Sequence, residues 1–287
     1  NAFNKLVTVD KVPVIIGPMY SSTTLAVAPI AERAKVVVLS PSASSPKVTQ
    51  AGDYIFRNWP SDVYEGGEMA KFAHERLGLK RAAILTVNLD YGIGLTEVFS
   101  KEFTDLGGQV VVVEKYEQGA TDFRTQLTKI QATNPDGLYL PGYYTEIALI
   151  LIQAKELGIN VQFLSCVGFD NPKSLELAGE AAEGVIFARP AYDPESKAEP
   201  VASFVQSFKS RYGLVPGTYA AHAYDAMRIV AEAIRKGGYQ SEGIKKALYA
   251  IRNFPGVTGE TSIDENGDVS KPSQIMKVEG GKFVNAK

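Results

Sequence analysis

The stretch Val14-Ile15-Ile16-Gly17-Pro18-Met19-Tyr20-Ser21-Ser22-Thr23-Thr24 decides the reading of this chain. A short β-branched run ends in Gly-Pro and passes into hydroxyls, and apolar residues then recur with helical spacing at Leu25, Val27, Ile30 and Ala31. A strand feeding a helix start brings free backbone N–H groups and the positive end of the helix dipole to where the serine and threonine side chains stand. That arrangement suits a small carboxylate or phosphate. It recurs further on, where Val36 to Leu39 runs into Ser40-Pro41-Ser42-Ala43-Ser44-Ser45. Serine and threonine are also the common helix caps. Two such clusters at neighbouring strand ends favour a ligand, because open α/β sheets bind theirs outside the carboxyl ends of strands.

The same strand–helix alternation continues, with strands expected over 12–17, 36–40, 82–88, 109–116, 137–141, 161–166 and 184–189. They are rich in Val, Ile and Leu without strict alternation, as when helices cover both faces of a parallel sheet. After Pro190 the order breaks into three successive helices near 196–212, 217–237 and 241–251, then β-type segments over 257–263 and 272–279. Asp264-Glu265-Asn266-Gly267-Asp268 between them is turn sequence. This predicts an α/β chain of two doubly wound, parallel-sheet lobes joined by three crossovers near 58–62, 188–192 and 262–270. One lobe takes 1–61 with 190–262 and the other 62–189 with 270–287, and a cleft between such lobes can close on a ligand by a hinge.

Composition narrows the function. The 287 residues are 45% hydrophobic and 22% charged with a formal net charge of −2, which gives no basis for a nucleic-acid partner. No apolar run approaches the ~20 residues a bilayer span needs. A single cysteine, Cys166, rules out an internal disulfide and any cysteine-built metal cluster, and two histidines leave little for a histidine site. No metal and no cofactor is expected. The opening Asn1-Ala2-Phe3-Asn4-Lys5-Leu6-Val7 reads as the end of an amphipathic helix, so the chain is expected to begin inside a domain, past any export signal.

Catalytic patterns are missing: there is no Gly-x-Ser-x-Gly elbow, Walker loop or His-Glu-x-x-His. Asp90-Tyr91-Gly92-Ile93-Gly94 fails as a dinucleotide fingerprint because Glu97 stands at the third glycine position. Tyr91 instead reads as a ring leaning from the strand end onto a ligand, with Gly92 allowing a sharp turn, and Tyr143 in Gly142-Tyr143-Tyr144 comes from the next such loop. His222, within a helix, reads as a packed or surface histidine rather than a general base. The chain is therefore not expected to be an enzyme.

Ile16-Gly17-Pro18 to Ser21-Ser22-Thr23, Ser40-Pro41-Ser42-Ala43-Ser44, Asp90-Tyr91-Gly92, Thr121-Asp122-Phe123, Gly142-Tyr143-Tyr144, Ala181-Ala182-Glu183-Gly184 and Tyr224-Asp225-Ala226 occur in that order. In this the chain resembles the type I periplasmic solute-binding proteins of the leucine/isoleucine/valine-binding kind, which serve branched-chain amino acid ABC importers. The resemblance implies two lobes with three crossovers, and that the first strands of the first lobe lie ahead of residue 1. It implies that Ser21 and Ser44, with Ser22 and Ala43 beside them, hold a ligand carboxylate, Ser42 adding backbone groups. Tyr91 and Tyr143 would close over the ligand and Tyr219 would line its side-chain pocket. Where amino-acid receptors of this family set an acid against the ammonium group, this chain has Val167, with Asp170 nearby in what reads as a helix-capping context. The expected ligand is thus a small carboxylate, either a branched-chain or other hydrophobic amino acid or, if no ammonium is recognised, an aromatic acid. The expected partner is an ABC permease, and the expected location is the periplasm or a lipid-anchored cell surface, with membrane contact only through the permease or that anchor. A ligand-sensing receptor or regulatory domain on the same fold is the alternative.

Overall fold

The computed structural model describes residues 1–286. The first segment carries α1 (Ala2–Thr8), β1 (Val14–Ile16), α2 (Ser21–Ala34), β2 (Val37–Ser40) and β3 (Ile55–Arg57). There follow α3 (Asp62–Lys71), β4 (Arg81–Val87), α4 (Asp90–Asp105), β5 (Gln109–Tyr116), α5 (Arg124–Ala132), β6 (Gly137–Leu140), α6 (Tyr144–Glu156), β7 (Gln162–Ser165), α7 (Pro172–Ala178) and β8 (Ile186–Pro190). The third segment holds α8 (Val201–Tyr212), α9 (Thr218–Gly237), α10 (Ser241–Tyr249), β9 (Phe254–Gly256) and β10 (Gly259–Thr261), and the chain ends with β11 (Ser273–Glu279) and β12 (Lys282–Asn285).

These elements form two compact units. Unit 1 is Asn1–Ser61 with Pro190–Pro272, and unit 2 is Asp62–Arg189 with Ser273–Lys287. The third crossover therefore lies at Pro272–Ser273, not over 262–270. The Asp264–Asp268 turn is part of unit 1, where Ile263 and Val269 bridge and Asp268 pairs with Arg57 on β3.

In unit 1, β1, β2 and β3 form a parallel sheet in sequence order. Val37 and Leu39 face one apolar cluster with α9 and α10, while Val38 faces another with α2. In unit 2 a seven-stranded sheet runs β12-β11-β8-β7-β6-β4-β5. Its central strand β4 is buried on both faces: Ala83, Leu85 and Val87 enter one core cluster and Ala82 and Ile84 the other. Successive residues point to opposite faces, so a strand covered twice reads as an unbroken apolar run. β4 pairs with β5 on one side and β6 on the other, all parallel, so the winding reverses there. That reversal is the switch point outside which doubly wound sheets place their ligands.

Candidate functional site

In unit 1 the loops leaving β1 and β2 run side by side, because the two strands are parallel neighbours. α2 starts after Tyr20, which is in extended backbone and makes no side-chain capping bond. Ser21, almost fully buried, accepts at its Oγ the N–H groups of Ser44 (3.2 Å) and Ser45 (3.1 Å). Ser40 Oγ donates to the Pro18 carbonyl (2.6 Å) and accepts the Ala43 N–H (3.0 Å), and Ser42 Oγ donates to the Met19 carbonyl (2.8 Å). Ala43 is buried inside this weave, and Ser22 is half-buried in the first turn of α2.

Arg57, with no exposed surface, closes the serine loop from behind. Its Nη1 donates to the carbonyls of Ser44 and Ser45 (both 3.0 Å), Nη2 to Thr49 Oγ1 (2.7 Å) and Asp268 Oδ2 (2.6 Å), and Nε to Asp268 Oδ1 (2.7 Å). All five guanidinium donors are used. Ser44 is consequently fixed at its N–H and its carbonyl, while its hydroxyl makes no hydrogen bond among the described residues. It stands beside the start of α2 as the site's available hydroxyl.

Tyr219, half-buried in the first turn of α9, stacks on Trp59 with centroids 4.9 Å apart. Trp59 in turn lies 4.3 Å from the His222 ring. Burial, then the Lys271 ammonium, pull His222 down to about 3, so it is neutral and keeps its Nδ1 proton on the Thr218 carbonyl at 2.9 Å. It is a packing residue, the buried one of the two alternatives its sequence context left open. Asp225 of the Tyr-Asp-Ala motif is also structural: it accepts from the N–H groups of Val257 (2.9 Å) and Thr258 (2.8 Å), tying α9 to the β9–β10 turn.

In unit 2, Tyr91 and Tyr143 leave the carboxyl ends of β4 and β6 on the two sides of the switch point and stack on each other, centroids 5.5 Å apart. Neither α4 nor α6 has a side-chain cap. Gly92 serves close approach rather than a sharp turn, since a Cβ there would sit 2.4 Å from the Val87 carbonyl oxygen. The β6 and β7 loops touch in the same way, a Cβ on Gly168 falling 1.9 Å from the Gly142 carbonyl oxygen. Thr121-Asp122-Phe123 is scaffold: Gln153 accepts the Phe123 N–H (2.7 Å) and donates to the Thr121 carbonyl (2.8 Å). Burial, then the Glu65 carboxylate, push the Cys166 thiol up to about 12, which leaves it unreactive.

Val167 is buried and donates its N–H to Glu65 Oε1 at 2.6 Å. Asp170 is not the cap of α7. Asn171 takes that role, accepting the Lys173 N–H at 2.9 Å, while Asp170 receives Arg189 Nη1 on both oxygens (2.9 and 3.0 Å). Arg189 is also held by the Gln274 amide oxygen, at 2.7 Å from Nε and 2.8 Å from Nη2. Sequence reasoning missed Arg57 and Glu65. The only signal for the first was a charge inside the apolar run Tyr54-Ile55-Phe56, and for the second an acid three residues after Asp62 on one helix face.

Over residues 1–282 the chain matches the model of a family described as periplasmic binding protein. The chain belongs to the type I periplasmic solute-binding proteins of the leucine/isoleucine/valine-binding kind. It is 32% identical over 271 residues to a leucine-, isoleucine-, valine-, threonine- and alanine-binding protein of Pseudomonas aeruginosa, covering 93% of this chain and 71% of that one. Among solved structures, a leucine-binding protein from Thermotoga maritima superposes with a TM-score of 0.92 at 38% identity, covering 100% of this chain and 82% of that one. An ABC-transporter solute-binding protein from Rhodopseudomonas palustris, in complex with a dihydroxybenzoic acid, gives 0.85 at 27% identity, covering 99% and 79%. The family is one of ABC-importer receptors, not of enzymes. Among the described residues no helix is long and apolar enough to cross a membrane.

Proposed function

We propose that this periplasmic binding protein captures a hydrophobic amino acid, leucine or a close relative, outside the cytoplasm and passes it to an ABC permease. The observation that carries the reading is the Ser44 hydroxyl, unengaged among the described residues, beside the start of α2. A carboxylate there accepts the hydroxyl at the end of the helix dipole that favours negative charge. Ser21 and Ser42 act by fixing the loop, and Ser22 and Ala43 shape the carboxylate's seat. Tyr91 and Tyr143 are the ligand-facing rings of unit 2, and Tyr219, backed by Trp59, is that of unit 1. The identity to leucine-binding relatives supports this choice. The aromatic surfaces, and the relative that holds a dihydroxybenzoic acid, favour an aromatic acid as the second reading.

A thermal-shift screen against leucine, isoleucine, isocaproate and benzoate tests the assignment, since a ligand at about a hundred times its Kd adds about 2.7 kcal/mol to stability. Leucine or isoleucine is expected to raise the melting temperature most. A shift with benzoate alone would select the aromatic reading, and no shift with any of them would remove the carboxylate class.

A further inference from the structure

Position 167 carries no acid, yet a carboxylate stands at it. Glu65 reaches from α3 to accept the Val167 N–H at Oε1 (2.6 Å). Its side chain is deeply buried, and its second oxygen, Oε2, has neither a hydrogen-bond donor nor an ion-pair partner among the described residues. The neighbouring Asp170 is different, being neutralised by Arg189 on both oxygens. We propose, building on the amino-acid reading above, that Glu65 is a specificity-determining residue whose Oε2 receives the ammonium group of the ligand, replacing the acid that Val167 does not supply.

The surroundings of Glu65 call for a cation. Asp62 lies one helical turn away on α3, and Asp170 approaches from the loop after β7 with its charge spent on Arg189. Cys166 of the same loop and Tyr139 of β6 also face it, and both are kept protonated by burial. Burial first, and then Asp62, hold the Glu65 carboxyl well above the usual carboxylate range, the Val167 N–H opposing them. An ionised carboxylate in such a place is costly until an opposite charge arrives. A metal does not fit, since no group of three or more metal-ligating side chains is assembled among the described residues. A primary ammonium does: it offers three donors, of which Oε2 takes one. Its arrival favours the ionised form, so an amino acid binds with release of a proton from Glu65.

Calorimetry with leucine and isocaproate, the same molecule without its amine, tests this at neutral pH in buffers of low and high ionisation enthalpy. The parent is expected to bind leucine with a buffer-dependent heat that reports proton release, and isocaproate without it. Glu65→Gln keeps an acceptor for the Val167 N–H but loses the charge. Its leucine affinity should fall about tenfold or more, its proton release should vanish, and its isocaproate affinity should hold, which also shows that the variant is folded. Leucine binding by Glu65→Gln equal to the parent's, or by the parent with no buffer dependence, would overturn the role of Glu65 and leave the amino-acid reading standing. A parent that binds isocaproate but not leucine, or neither, would overturn the amino-acid reading and this inference with it.

Discussion

Ser21 and Ser44 look equivalent in the sequence, and the structure separates them. Ser21 Oγ holds two backbone N–H groups of the neighbouring loop, whereas the Ser44 hydroxyl makes no hydrogen bond among the described residues. Ser44→Ala should therefore weaken leucine binding by about 1.5–3 kcal/mol, the range for a hydrogen bond to a charged group, with its urea midpoint unchanged. Ser21→Ala should lower both stability and affinity, because two buried N–H groups lose their acceptor. Calorimetry and urea titration on the two variants check this; equal midpoints with equal loss of affinity would put Ser21 on the ligand as well. Which serine does which was not legible in the sequence, since the Ser21 bonds join residues more than twenty positions apart. For His222 the sequence left a packed or a surface place open, and its full burial decides for packing.

Among the elements, strand–helix alternation identified most of the sheet, and long apolar runs fixed it best. β3 escaped because it is only three residues long and ends in Arg57. The same residue explains the misplaced third crossover: Asp268 looks like linker in sequence, but its carboxylate is pinned to Arg57 across 211 positions. No local pattern records such a pairing. The Arg57 fork holds the β2 loop through two carbonyls, a geometry that a lysine ammonium with three donors does not reproduce. Arg57→Lys is thus expected to cost at least about 2 kcal/mol in urea unfolding and to weaken leucine binding as well. A variant with the parent's stability and affinity would show that the serine loop holds its shape without the fork.

At the scale of the molecule, each unit has its own cores, and each presents one group of strand-end loops. Unit 1 offers a hydroxyl and a helix start; unit 2 offers two stacked tyrosines and the Glu65 carboxyl group. The fold class, the family and the positions of these loops were readable from residue order alone. The chemistry of position 167 was not, because its acid arrives from a helix about a hundred residues earlier. The central claim is that a ligand carboxylate is held at Ser44 and the start of α2. Calorimetry comparing leucine with leucinamide, which keeps the amine and side chain but lacks the carboxylate, tests it most directly. The account predicts that leucine binds, that leucinamide binds at least about a hundredfold more weakly, and that Ser44→Ala narrows the gap. Leucinamide binding as tightly as leucine would contradict it.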